Sequence, residues 1–216
     1  MELPTLCEIG RFYQRPCFVI PRWCWLLGTG VRFECTKCGA CCSQKDILIT
    51  LTAKDIARMS SSLGLSVDET LRALDFYVVS PGQEIPVGLK EIPTINTERG
   101  PAWVALKKMD GKECVFLKDN LCMIHEIRPS VCVSFPFIFK EGDGEFEWGL
   151  SAKKEICPGI GTGPEIEPSE LEATAGSVLD DLRDFRKFVN EWNSRSEDAT
   201  ARSFVEAVLS NPRFAL

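Results

Sequence analysis

Short strand-like runs separated by turn residues, four cysteines packed into eight positions, and a long helical apolar period near the C-terminus together predict an α+β fold. The expected architecture is a small, irregular domain organised around metal, with short hairpins and a C-terminal amphipathic helix. The elements follow in chain order. Ile47-Leu48-Ile49-Thr50-Leu51 reads as a strand. Thr52 with Asp55 forms an N-cap that opens a helix to about Leu63, with Gly64 as its stop. Ser66 and Glu69 give a capping box for a second helix through about Tyr77. Residues 80–101 are rich in Pro and Gly and read mostly as loop, with room for short strands. Asp110-Gly111 joins the strand-like runs Trp103 to Lys108 and Glu113 to Leu117 into a hairpin. Lys118-Asp119-Asn120 is another turn, and Met123 to Arg128 is a short helical stretch ended by Pro129. Ser134-Phe135-Pro136-Phe137 reads as extended. Ile138-Phe139 and Phe146-Glu147-Trp148 flank a Gly-rich turn over 141–145, a second hairpin. Cys157 to Gly163 is a glycine-rich loop.

Beyond Gly163 the composition changes. Ser169 and Glu172 suggest a further capping box. Leu171, Ala175, Val178, Leu179, Leu182, Phe185, Val189 and Trp192 recur mostly at steps of three and four. That period predicts an amphipathic helix of about five to six turns. Its apolar stripe is expected to pack on the domain, with a contact to a partner protein as the alternative. Residues 194–201 read as a linker, and Ser203 to Ser210 as a final short helix. The expected organisation is an N-terminal extension over 1–30, a cysteine-cluster domain over 31–165, and a helical segment over 166–216 that packs on it.

The chain has 216 residues, 44% of them hydrophobic, which is enough for a real core. Asp and Glu number 31 against 25 Lys and Arg, and the resulting charge of −6 opposes non-specific nucleic-acid binding, which requires a basic face. No apolar run reaches the ~18 residues of a membrane span. The apolar stretch Cys17 to Leu27 is broken by Pro21 and Arg22, with no clear small-residue cleavage site after it. A reducing, cytoplasmic setting is therefore expected.

Eleven cysteines against a single histidine need a specific cause: disulfides, metal or catalytic thiols. The odd count and the expected compartment favour metal over a disulfide framework. Cys35-Thr-Lys-Cys38-Gly-Ala-Cys41-Cys42 has the two-residue gaps that let thiolates curl around one centre, and Gly39 suits the tight turn this needs. Neighbouring side chains point in different directions, so Cys41 and Cys42 are not both expected to serve one centre with Cys35 and Cys38. One should face the local loop and the other the remote candidates Cys114, Cys122, Cys132 and Cys157. Cys7, Cys17 and Cys24 are not assigned as ligands.

The cluster does not stand alone. Phe33-Glu34-Cys35 through Cys42, Asp55-Ile56-Ala57-Arg58-Met59, Cys114-Val115-Phe116-Leu117, Asn120-Leu121-Cys122-Met123-Ile124-His125, Arg128-Pro129, Cys132, Phe135-Pro136-Phe137 and Cys157-Pro158-Gly159-Ile160-Gly161 follow in order. This pattern resembles the CxxCxxCC cysteine-cluster family of zinc- or iron-chelating domains, to which a domain of the flagellin lysine-N-methylases is related. His125 stands where the family often has Tyr, and Val133 where it often has Arg. The resemblance implies metal binding through Cys35, Cys38, Cys41, Cys42, Cys114, Cys122, Cys132 and Cys157.

Eight thiolates suit two zinc sites of four cysteines each, or one 4Fe-4S cluster with four thiols remaining. Either centre carries net negative charge, which Lys37, Lys45, Arg128, Lys153 and Lys154 are placed in sequence to offset. Two functional classes follow: a metal-binding protein without chemistry of its own, or an iron–sulfur-dependent enzyme or enzyme component such as a protein lysine methyltransferase, the latter implied by the resemblance alone. His125 is the sole histidine and the adjacent Glu126 is poorly placed to partner it, so a Ser-His-Asp hydrolase is not expected; His125 reads as structural, with zinc ligation as the alternative. Gly159 to Gly163 follows no clear parallel strand and is not a dinucleotide fingerprint.

Overall fold

A computed structural model of the chain describes residues 30–45, 47–141, 146–195 and 199–215. Cys7, Cys17 and Cys24, and the expected extension except for Gly30, lie outside the described residues, as do the turn residues 142–145. The architecture is mixed α+β, built of helices and short antiparallel pairings.

The main sheet has three antiparallel strands. β4 (Gly100–Leu106) lies between β2 (Leu74–Val78) and β3 (Ile95–Thr97). β2 falls where the second helix was expected to continue. That helix, α3 (Val67–Ala73), begins at the predicted Ser66–Glu69 capping box but ends four residues before Tyr77. The reason is tertiary: Leu74 to Val78 pair in register with Leu106 to Ala102, and Lys107 N donates to Ala73 O at the helix end. α2 (Ala53–Leu63) forms as predicted, with the Thr52–Asp55 box closed in both directions and Gly64 at φ 63°. The segment before it is not a strand. Only Thr50 bridges Ala105, because Thr52 already begins the helix cap.

The C-terminal helix α5 (Pro168–Ser194) is 27 residues long, longer than predicted. Pro168 occupies its first turn, so the expected Ser169–Glu172 box falls inside the helix and does not form. α6 (Ala201–Leu209) starts at a Thr200–Ser203 capping box, two residues earlier than expected. Ile56 and Met59 of α2, Val104 and Leu106 of β4, Phe185 and Val189 of α5, and Phe204 and Val208 of α6 share one buried core. The apolar stripe of α5 is thus covered by this chain's own residues. Among the described residues, no helix is long and apolar enough to cross a membrane.

The remaining pairings are small and sit around the cysteines. β5 (Lys108–Met109) pairs with β6 (Glu113–Cys114), and β7 (Leu117–Lys118) with β8 (Leu121–Cys122). β9 (Phe137–Glu141) and β10 (Phe146–Leu150) form the predicted second hairpin. Phe137, Trp148 and Leu171 form a second, smaller core. The expected glycine-rich loop after Cys157 is in fact largely a strand, β11 (Ile160–Glu165), paired with β1 (Arg32–Phe33). A partner more than 120 residues away in sequence holds it extended, which local composition does not reveal.

Candidate metal centre

The CxxCxxCC run turns on α1 (Ala40–Ser43), a single helical turn. Its N-cap, Gly39, has φ 70°, a conformation open to glycine. Space requires glycine as well: a Cβ there would lie 2.6 Å from Asn120 O. That close approach seats α1 on the two-residue turn between β7 and β8, where Asp119 and Asn120 are both left-handed, as this hairpin type demands. Cys122 is thereby fixed near the run. α1 also packs on β6, which carries Cys114.

The β5–β6 register matters. A two-residue turn at Asp110-Gly111 would set Lys108 opposite Glu113. The observed turn has three residues, and Lys108 lies opposite Cys114. A slip of one residue reverses which face a side chain takes, so this turn decides that Cys114 is buried. Cys132 sits in α4 (Ser130–Ser134), a short helix just ahead of the segment expected to be extended and overlapping it only at Ser134. Its start is pinned by Ser130 N donating to Asp55 Oδ1 at 2.9 Å. Cys157 is brought to the run by the β1–β11 pairing, where Glu34 N donates to Gly159 O at 3.3 Å. Here too a side chain is excluded, since a Cβ on Gly159 would lie 2.2 Å from Glu34 O.

All eight described cysteines are free thiols. Cys42 and Cys114 are buried, Cys41, Cys122, Cys132 and Cys157 are half-buried, and Cys35 and Cys38 are exposed. Cys41 and Cys42 do not diverge as extended neighbours would. In a helical turn adjacent side chains are about 100° apart, and the two sulfurs lie 3.9 Å from each other. Among the described residues, no three His, Cys, Asp or Glu side chains are already gathered to hold an ion.

The electrostatics record how close the thiols are. A hydrogen bond from Cys42 lowers Cys41 to about 6, against burial, with the Arg128 charge helping. The same bond pushes Cys42 far up, aided by burial and by the charges of Cys41, Cys114 and Cys132. Burial raises Cys114, partly opposed by the Phe116 amide and the Lys108 charge. Burial raises Cys132 strongly, and Cys41, Cys114, Asp55 and Cys122 add to it. Burial also raises Cys157, with Cys41, Cys35 and Cys38 adding. Each thiolate thus opposes ionisation of the next, and a bound cation would reverse that penalty.

Behind the cysteines lies a polar cluster. Asp55, 1% exposed, accepts from Thr52 N and Oγ1, from Arg58 and from both Ser130 N and Oγ. Ser130 Oγ is also 2.9 Å from Asp181 Oδ2, so its one hydroxyl proton is shared between two carboxylates. Asp181 pairs with Lys54 at 2.7 Å. Arg58 donates to Arg128 O, and the Arg128 guanidinium meets His125 Nε2. The other ring nitrogen of His125 faces Glu126. Arg58 Nε and Arg128 Nε are buried with no hydrogen-bond partner among the described residues. Lys108, also buried, donates to Gln44 O at 2.9 Å and to Cys42 O at 3.4 Å.

Of the cations singled out by sequence, Arg128 acts on Cys41. Lys108, Ser130 and Asp181 escaped the sequence reading as parts of the site, and Arg58 entered it only within the family-matched stretch Asp55 to Met59. Lys108 left a usable trace as well, two residues before Asp110-Gly111 on a strand that turns back to Cys114.

The described residues form a cysteine-rich α+β domain with eight free thiols. The chain belongs to the CxxCxxCC family, described as "Putative zinc- or iron-chelating domain", whose pattern matches residues 34–158 and so spans all eight described cysteines. A protein of Methanocaldococcus jannaschii, named as uncharacterised, is 29% identical over 119 residues. That stretch is 54% of this chain and 50% of the relative, so the chain spans about half the length of that relative. No solved structure matches.

Proposed function

We propose that the protein binds zinc or iron through Cys35, Cys38, Cys41, Cys42, Cys114, Cys122, Cys132 and Cys157. The observation that carries this reading is the assembly of cysteines from five separate chain segments around α1, with each buried thiol under the charge of several others. Nothing in ordinary packing requires that; soft thiolate donors for zinc or iron do. The unpartnered Arg128 Nε–H and the buried Lys108 ammonium supply the positive charge that a thiolate centre needs.

Bound zinc would fix the segments in place without redox chemistry, whereas iron–sulfur would add electron transfer. In either case the chain's own residues deliver ligands, compensate charge and exclude water. The test is metal and sulfide analysis with a visible spectrum on protein purified without oxygen. Colourless protein with about two zinc ions per chain supports paired four-thiolate sites. Brown protein with about four irons and matching sulfide supports a 4Fe-4S cluster. Protein free of both metals refutes the reading.

A further inference from the structure

Burial divides the eight cysteines. Cys42 and Cys114 lie inside the main core, and Cys41, Cys122 and Cys132 pack against it. Cys35 and Cys38 are exposed, Cys157 is half-buried, and none of the three belongs to that core. The supports differ as well. The first set rides on β6, β8 and α4, which close on α1 and on the buried Asp55. The second hangs on the separate two-stranded pairing of β1 with β11. The vicinal pair marks the boundary, with Cys42 8% exposed and Cys41 more open.

A closed thiolate site needs four donors. Giving one member of the vicinal pair to each set makes four and four. We propose, resting on the chelating reading above, that the protein builds two adjacent metal centres of unequal permanence. Cys42, Cys114, Cys122 and Cys132 hold an inner, structural ion. Cys35, Cys38, Cys41 and Cys157 hold an outer ion that exchanges with thiol or chelator ligands from solution.

The chemistry of exchange explains the difference. An incoming donor must reach the metal and replace thiolates one at a time, with no change of oxidation state. Each cysteine that lets go takes up a proton from water or stays ionised, and the incoming donor takes its place. At the outer centre two of four ligands are exposed, so that stepwise replacement has a path. At the inner centre none of the four ligands is exposed: Cys42 and Cys114 are buried, and Cys122 and Cys132 are half-buried against the main core, so an incoming donor meets a narrower path. The 3.9 Å between the Cys41 and Cys42 sulfurs places the two centres side by side. The outer ion can therefore leave while the inner one keeps α1 in place.

The test uses the full chain, stripped of metal under reductant, reloaded with Zn²⁺ alone and challenged with a chromogenic pyridylazo chelator. The wild-type protein should bind about two zinc ions and release them in two phases of equal amplitude. Cys38→Ser and Cys157→Ser should each hold one zinc, lose only the fast phase and melt close to wild type. Cys132→Ser should lose the slow phase. Because it also removes a ligand packed on the core, the two outer variants carry the decision. Release in a single phase, or an outer variant that empties both centres, overturns the division. A wild-type protein that binds no zinc and carries no iron as isolated instead refutes the chelating reading itself.

Discussion

Gly159→Ala isolates one steric contact that sets the site. The backbone of Gly159 is not left-handed, so the substitution carries no conformational penalty of that kind. Its cost is contact. The new Cβ would lie 2.2 Å from Glu34 O and 3.1 Å from Glu34 C, both backbone atoms that no rotamer change can move. Strand β1 must retreat by about 1 Å to restore normal contact distances. Overpacking of this kind costs about 1–3 kcal/mol. Losing the bond from Glu34 N to Gly159 O adds about 0.5–1.5 kcal/mol. Reduced freedom of the unfolded chain returns about 0.4–1 kcal/mol. The net loss is about 0.5–4 kcal/mol, or roughly 5–10 °C in melting temperature for its middle range in a chain of this size. The retreat also carries Cys35 away from Cys157, so metal content should fall. Circular-dichroism melts and metal analysis read both effects. Gly176→Ala is the control: its Cβ meets nothing within 4 Å, and a helix-interior alanine gains about 0.5–1 kcal/mol. A Gly159→Ala protein that melts within a degree of wild type with full metal content refutes the reasoning.

Three further outcomes are expected. Asp55→Ala strips the acceptor from Thr52, Arg58 and Ser130 and takes the carboxylate from a half-buried guanidinium that keeps its bond to Arg128 O, so urea denaturation should show a loss of about 1–3 kcal/mol; a loss under about 0.5 kcal/mol contradicts the role assigned to it. In metal-free protein, alkylation of Cys41 by iodoacetamide should reach half its plateau rate near pH 6, since the thiolate is present above the lowered value and lost as pH falls through it, and Cys42→Ala should move that midpoint up toward the ordinary ~8.5. The stability this depressed group contributes is likewise full above its unfolded value and lost on acidification through about 6. Lys108→Met leaves the carbonyls of Cys42 and Gln44 without their donor and should cost about 1–3 kcal/mol, with weaker zinc retention in chelator competition; unchanged retention argues against its part in charge compensation.

What was legible in the sequence was local. The Thr52–Asp55 and Ser66–Glu69 boxes involve residues three apart, and both form in full. The turn at Asp119-Asn120 follows from turn chemistry in the same way, and β9 and β10 pair where the second hairpin was predicted. Elements decided by distant partners were misread. Leu74 to Val78 leave the helix for β4, and Ile160 to Glu165 leave the loop for β1. The Ser169–Glu172 pair had the right residues but lost to Pro168, which starts α5 two positions earlier, with Glu167 as the N-cap. That eight cysteines fall inside one family-matched stretch was readable from spacing and from the resemblance. Its geometry was not: an extended picture of Cys41-Cys42 sends the sulfurs apart, whereas one helical turn brings them together. The polar cluster of Asp55, Ser130 and Asp181 joins residues 51 to 75 or more positions apart, a distance over which local pattern is silent.

The most direct test of the central claim is X-ray absorption at the metal edge on anaerobically purified protein. The account predicts a first shell of sulfur alone, about four per metal at about 2.3 Å. A shell dominated by nitrogen or oxygen at about 2.0–2.2 Å would contradict it.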